Sequence, residues 1–180
     1  MQIPLVMTVI GQDRPGLVDL VAGLVAEHGG NWLESRMCRL GGEFAGLLRV
    51  HVPRERVSTL EQALAGLAAQ GLTVVVRADA DADSEATAPA GARSAVIEIV
   101  GQDRPGIVRQ ISRALAAQGV NVEELRTECV SAAMSGETLF QARVQLHVPE
   151  TCVVSDLRRE LETIASDLFV DIRFEELSKP

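Results

Sequence analysis

Apolar and polar residues alternate with two different periods along this chain, and the same succession of periods occurs twice. The first period-two run has its apolar residues at Ile3, Leu5, Met7 and Val9. The next stretch spaces them as one face of a helix does, at Leu17, Val18, Val21, Leu24 and Val25. We therefore predict a strand buried mainly on one face, followed by an amphipathic helix that ends at Gly29-Gly30.

Two extended runs follow this helix, over residues 31–40 and 43–52. Gly41-Gly42 joins them and suits the positive φ angles of a tight hairpin turn. Leu60, Leu64 and Leu67 then mark a second helix, and residues 72–77 form a final β-branched strand. The order βαββαβ predicts an α+β, ferredoxin-like domain, in which an antiparallel four-stranded sheet carries two helices on one face.

The chain repeats this pattern as a tandem duplication. The hexapeptide Gly-Gln-Asp-Arg-Pro-Gly begins at Gly11 and again at Gly101, a spacing of 101 − 11 = 90. Later the spacing becomes 147 − 51 = 96, which relates His51 to His147 and Leu72 to Leu168. The second copy therefore contains an insertion of about six residues, in part 131–137, which either contacts a partner or only lengthens a hairpin.

Two domains follow from the duplication, with the bounds 1–77 and 95–180. Residues 78–94 carry alanine, acidic and small polar side chains without a large apolar anchor, so we interpret them as a flexible linker. Such a linker lets the two domains pair side by side, with their sheets joined edge to edge. Exposed strand edges also favour a homodimer.

Composition narrows the possible partners and the location. The net charge is −8, and Lys179 is the only lysine, so direct binding to nucleic acid is not expected. No apolar run reaches the length of a membrane span, and the start of the chain lacks the features of a secretory signal, which predicts a cytoplasmic protein. Three cysteines without close pairing suggest neither disulfides nor a zinc site.

Catalytic and metal-binding patterns are missing from the sequence. His51 and His147 occupy equivalent positions, but neither has a histidine or cysteine at ligand spacing, so we interpret both as structural. We find no nucleophile elbow, phosphate loop or metalloprotease motif. Trp32 and the four phenylalanines are interpreted as core or interface residues. We expect no enzyme activity, no cofactor and no metal.

The repeated hexapeptide joins a strand to a helix, so backbone N–H groups and the positive end of the helix dipole meet there. Glycines in the loop let a ligand or a neighbouring domain approach the main chain. Asp13 and Asp103 could accept an ammonium group or could cap the helix. Asn31 and Asn121 are expected near the loop as donors to a carboxylate, or else they end helices in left-handed conformation. A free amino acid offers both charges.

The succession of strand, Gly-x-Asp-Arg-Pro-Gly, amphipathic helix, Gly-x-Asn, hairpin, helix and strand resembles the ACT domain, an amino-acid-sensing regulatory module, in both halves. Paired ACT domains without a catalytic domain, together with the segment 134–140, resemble the glycine cleavage system transcriptional repressor family. The resemblance implies a regulator that acts through a protein partner such as a transcriptional activator. An interaction or oligomerisation scaffold that binds no small ligand is the alternative.

The same resemblance implies which positions hold the effector. ACT domains bind it at the interface of a domain pair, through the loop after the first strand and the start of the second. In this chain the matching positions are Gly11, Asp13, Gly16, Asn31, Gly101, Asp103, Gly106 and Asn121. The expected ligand is a small amino acid, with glycine as the first candidate.

Overall fold

The computed structural model describes residues 1–79, 93–131 and 138–177. The chain divides into two compact units, Met1–Ala86 and Thr87–Pro180. The predicted linker, 78–94, falls mainly on residues that lie outside the described part, while Ala78 and Arg93 belong to the flanking strands. The predicted domain bounds and the side-by-side pairing stay predictions.

The first unit has the predicted order of elements. Its strands and helices are β1 (Gln2–Gln12), α1 (Leu17–Glu27), β2 (Asn31–Leu40), β3 (Glu43–Pro53), α2 (Val57–Gly66) and β4 (Leu72–Ala78). Short 3₁₀ turns, Arg54–Arg56 and Leu67–Gln70, flank α2. The strands form one antiparallel sheet in the order β2-β3-β1-β4.

The second unit repeats this arrangement. Its elements are β5 (Arg93–Gln102), α3 (Ile107–Ala117), β6 (Asn121–Ser131), β7 (Thr138–Val148), α4 (Val154–Leu168) and β8 (Val170–Leu177). The antiparallel sheet has the order β6-β7-β5-β8. The predicted α+β, ferredoxin-like fold is therefore confirmed in both halves.

Each unit buries the helix-facing side of its sheet in a core of its own. Leu5, Met7 and Val9 of β1 are buried, as their alternation predicts, and they pack with Leu60 and Leu64 of α2. The helix stripe is narrower than predicted, because Val18 is 46% exposed and its counterpart Val108 is 41% exposed. The spacing of apolar residues predicts the apolar face of a helix, but residues at the margin of that face are not covered by the sheet.

Strand register corrects the predicted alignment of the two halves at the last strand. Gly11 pairs with Leu72, and Gly101 pairs with Val170, so Leu72 corresponds to Val170 and not to Leu168. The spacing there is 170 − 72 = 98. The extra two residues lie in the longer helical region of the second half. Leucines and valines recur around the last strand, so an alignment with the spacing 96 matches similar residues even though the strand register requires 98.

The turn between β2 and β3 adopts the predicted geometry. Gly41 and Gly42 have φ angles of 61° and 90°, a backbone conformation that residues with a Cβ rarely adopt. The predicted insertion of the second half falls mainly on residues 132–137, which lie outside the described part of the chain.

Candidate functional site

The hexapeptide loop is built the same way in both units. β1 ends at Gln12 and α1 begins at Leu17, with Gly16 as the N-cap in left-handed conformation, at φ 92°. Gly106 takes φ 98° before α3. The Leu20 N–H donates to the carbonyl of Gly16 at 3.0 Å, as the first bond of the helix. The N–H groups of the first turn therefore have no partner within the helix and face the loop.

The aspartates of the loop do not cap the helices. No side chain makes a capping hydrogen bond at the start of α1 or α3, where a glycine occupies the cap position. Interpreting Asp13 and Asp103 as helix caps is therefore wrong.

Gly11 and Gly101 are required by contacts inside their own units. A Cβ on Gly11 would lie 2.3 Å from the carbonyl oxygen of Gly71, and one on Gly101 would lie 2.6 Å from Val170 Cγ1. Both distances are well inside van der Waals contact. In each unit, the segment at the start of the last strand therefore lies against the glycine at the end of the first strand, which leaves no space there for a side chain.

The loop of the first unit is bonded to the β2–β3 turn. The Asp13 N–H donates to the Gly42 carbonyl at 2.9 Å. The Asp13 carboxylate accepts from Arg39 Nε at 2.7 Å, and its side chain is 32% exposed. Arg14 donates to the carbonyl of Gln70 at 3.1 Å, next to the start of β4. Asp13 is therefore already neutralised by a cation of the same unit.

The second loop differs at the carboxylate. The Asp103 N–H donates to the Thr138 carbonyl at 3.0 Å, which repeats the backbone bond of the first unit. Register places Cys129 where the first unit has Arg39. Asp103 is exposed, and within residues 93–131 and 138–177 its carboxylate has no ion pair. Within these ranges, Asp103 therefore lacks the cation that neutralises Asp13.

The two asparagines lie at the opposite end of the sheet from the loop of their own unit, contrary to our expectation. Asn31 pairs with His51, which pairs with Pro4 of β1. Pro4 precedes Gly11 by seven strand residues, or about 23 Å. Helix α1 returns the chain to the start of β1, so β2 begins there. Asn121, paired with His147, is placed alike in the second unit.

Neither asparagine ends a helix in left-handed conformation. Gly29 and Gly119 take that conformation instead, at φ 69° and 68°. Asn31 and Asn121 are the first residues of β2 and β6. Within one unit, a single amino acid cannot touch both an asparagine and the loop.

Comparison with known proteins bears on the family. The ACT domain family matches the chain at residues 4–77 and 93–175, which together make up most of its length. This chain belongs to the ACT domain family. Both matches coincide with the βαββαβ units, so each unit is an ACT domain, and the resemblance inferred from the hexapeptide is confirmed.

Several relatives place these ACT domains in context. The glycine cleavage system transcriptional repressor of Escherichia coli is 22% identical over 91% of this chain and 85% of its own length. The formyltetrahydrofolate deformylase of Mycobacterium bovis is 39% identical, but over 43% of this chain and only 25% of the deformylase. The deformylase similarity therefore extends over one ACT domain and not over a whole enzyme.

Solved structures confirm the tandem fold. A protein of unknown function from Galdieria sulphuraria superposes with a TM-score of 0.81 at 28% identity, over 99% of this chain and all of the other. A protein provisionally assigned as a glycine cleavage system transcriptional repressor gives 0.67 at 21% identity, over 99% of both chains. At that identity the second match supports the fold alone.

Sequence reasoning missed two residues near the loops of the ACT domains. Arg39, the partner of Asp13, lies in a predicted strand and gives no signal until the sheet order brings the β2–β3 turn beside the loop. Phe169 occupies the position of Gly71 and adopts φ 55°, with the Arg104 guanidinium 4.9 Å from its ring centre. Phe169 is 71% exposed, so it is not a core residue and its interpretation as an interface residue stays a prediction, while Phe140 is buried.

Across residues 1–79, 93–131 and 138–177, no three His, Cys, Asp or Glu side chains come together as a metal site would require. Among the helices in those ranges, none has the length and apolar character to span a membrane.

Proposed function

We propose that this chain is a non-enzymatic, amino-acid-responsive regulatory protein that acts through a protein partner, such as a transcriptional activator. The observation that carries the proposal is the extent of similarity to the Escherichia coli glycine cleavage system transcriptional repressor. It covers 91% of this chain and 85% of the repressor. The similarity therefore includes both ACT domains in tandem and not one module shared among unrelated proteins.

The second hexapeptide loop supports the sensing part of the proposal. Asp103 is an exposed carboxylate without an ion pair in the described ranges, and it lies four residues before the first turn of α3. The carboxylate suits the ammonium group of a free amino acid. The unbonded N–H groups of the helix start suit its carboxylate. Glycine is the first candidate because of the similarity to the repressor.

Calorimetric titration tests the sensor directly. Glycine, alanine, serine and leucine are titrated into the full chain, then into Asp103→Asn and its matched counterpart Asp13→Asn. We expect saturable heat with at least one amino acid, lost in the Asp103 variant and retained in the Asp13 variant, whose carboxylate already pairs with Arg39. Absence of saturable heat with all four ligands would contradict the sensor.

The remaining predicted positions are tested in the same assay. Gly16 and Gly106 need their glycine for a positive φ, so their alanine variants report on loop shape more than on ligand contact. The amino-acid affinities of Asn31→Ala and Asn121→Ala show whether either side-chain amide contributes to binding. Because each lies at the far end of its own sheet, we expect no loss of an affinity that depends only on the loop of the same unit.

A scaffold that binds no small ligand is the second candidate function. Gly11, Gly101 and Asp13 are all engaged by contacts within their own ACT domains, which accounts for three of the eight predicted positions without a ligand. A scaffold predicts no heat from any amino acid. It also predicts that Asp13→Ala and Asp103→Ala leave the affinity for the protein partner unchanged.

Assembly and location are further parts of the proposal. The similarity to the Escherichia coli repressor over both halves supports a regulator, and we propose that it is cytoplasmic and forms a homodimer. Light scattering coupled to size exclusion tests the dimer, with a mass twice that of the 19.3 kDa chain as the expected result. A monomer mass at micromolar concentration would contradict it.

A further inference from the structure

The second ACT domain contains an apolar cavity between helix α3 and the sheet. Its volume is about 140 Å³. Side chains from α3, β5, β6 and β7 line it: Ile99, Val108, Ile111, Ser112, Leu115, Val122, Leu125, Phe140, Ala142 and Val144. None of the residues of the Gly101–Gly106 loop contributes, so the cavity is distinct from the candidate amino-acid site.

The cavity has a buried floor and an open mouth. Ile111, Leu115 and Val144 in the floor are each no more than 3% exposed. Val122 and Leu125 at the mouth are 38% and 44% exposed. Apart from the exposed hydroxyl of Ser112, the side chains of the lining carry no polar group. A charged ligand group would lose its hydration there without gaining a partner, so the lining selects an uncharged, apolar occupant.

The first ACT domain has a larger side chain at one of the positions that line the cavity of the second domain. Trp32 pairs with Val50 as Val122 pairs with Leu146, so the indole of Trp32 corresponds to the smaller side chain at the cavity mouth. Trp32 packs on the core of its domain. Met37 also packs there and covers Gly46, with its Cγ 2.4 Å from an ideal Cβ on that glycine. Val122 lines the cavity and is smaller than Trp32, whereas Thr127, at the position of Met37, is not part of the lining.

We propose that this cavity binds a compact, uncharged apolar molecule, aromatic or branched aliphatic, that fits its volume of about 140 Å³. An apolar protein cavity of roughly 150 Å³ is large enough to bind benzene. The buried floor supplies dispersion contacts on most sides of such a ligand, and the exposed mouth supplies an entry path. The site depends on Val122 and not on the loop aspartates, so it stands or falls separately from the proposed amino-acid sensor.

Benzene is the probe for the test, and methyl resonances are the readout. Titration of the full chain, followed by ¹H–¹³C spectra of Ile, Leu and Val methyl groups, should give saturable shifts confined to Ile111, Leu115, Val144 and their neighbours in the lining. Val122→Trp should place an indole at the mouth of the cavity and lower the benzene affinity by roughly tenfold or more. The control Val75→Trp adds an indole at an exposed position on β4 of the other domain and should leave the affinity unchanged.

Two results would overturn the proposal. One is the absence of saturable shifts in the unmodified chain, and the other is an unchanged benzene affinity in a folded Val122→Trp variant. If that variant does not fold, Val122→Phe replaces it, because its smaller ring demands less space, and the same loss of affinity is required. Titration of the Val122→Trp variant with amino acids distinguishes the cavity from the loop site, because the heat of amino-acid binding at the loop should persist.

Discussion

The Asp13 carboxylate and the Arg39 guanidinium form an ion pair at 2.7 Å, and the duplicated half of the chain replaces Arg39 by Cys129. The two loops share their hexapeptide and their backbone bonds, yet among the described residues a cation pairs with Asp13 and none pairs with Asp103. The difference between the two halves, Arg39 in one and Cys129 in the other, therefore lies outside the hexapeptide that they share.

Cys129→Arg should give Asp103 the partner that Asp13 already has. If Asp103 accepts the ammonium group of the ligand, the added cation competes for the carboxylate, and amino-acid affinity should fall by roughly tenfold. Calorimetric titration measures it. The control Arg39→Cys should leave that affinity unchanged and alter the free energy of unfolding by no more than about 1 kcal/mol, because the Asp13–Arg39 pair is exposed.

Gly11→Ala should destabilise the first ACT domain. The added methyl group meets the Gly71 carbonyl oxygen, which is backbone and cannot swing aside, so we expect a loss of about 1–3 kcal/mol. Gly23→Ala is the matched control in α1, where an added Cβ meets nothing within 4 Å and should stabilise the helix by about 0.5–1 kcal/mol. Urea unfolding measures both, and equal stability of the two variants would contradict the close approach.

Phe169→Gly and Phe169→Ala separate backbone strain from the ring contact. Both remove the stacking with Arg104, but only glycine adopts φ 55° without cost. We expect the glycine variant to be more stable than the alanine variant by about 1 kcal/mol, as measured by thermal or urea unfolding. Alanine matching glycine would show that the turn relaxes once the ring is gone.

Cys152 should be the slow thiol of the three. Burial raises its pKa, which Asp156 reinforces and Arg93 partly opposes, whereas Cys38 and Cys129 are exposed. In a native-state reaction with a thiol reagent at neutral pH, we expect two fast equivalents and one slow equivalent. Three equally fast equivalents would contradict the buried position.

The same thiol predicts how stability changes with alkaline pH. The folded chain holds the Cys152 proton more tightly than the unfolded chain, whose thiols ionise near pH 8.5. The resulting contribution is present below that pH and is lost as the pH rises through the folded pKa. Unfolding measured from pH 7 to 10 should show a steeper fall for the unmodified chain than for Cys152→Ala.

Trp32→Val should open in the first ACT domain the space that Val122 leaves in the second. Large-to-small substitution of a fully buried tryptophan by alanine costs about 3–5 kcal/mol, and the partly buried Trp32 should lose less, about 2 kcal/mol. Urea unfolding measures the loss. Benzene should then shift methyl groups near Val21 and Val25, which the unmodified first domain should not show.

Local periodicity was enough to predict the elements and the fold of each half. The alternation at Leu5, Met7 and Val9 and the Gly41-Gly42 turn depend on neighbours within a few residues, so the sequence contains the whole signal. The repeated hexapeptide and the order of elements around it were likewise enough to predict the duplication and the resemblance to the ACT domain, which the match over both halves confirms.

The composition of the candidate site depended on the sheet order, which no local pattern specifies. The order β2-β3-β1-β4 brings Arg39 beside Asp13 and the turn at Gly71 against Gly11, and it carries Asn31 to the far end of the sheet. Sequence alone determined two ACT domains with a shared loop. Tertiary structure decided which loop carboxylate pairs with a cation in the described part of the chain and where a cavity remains, because both depend on contacts between residues far apart along the chain.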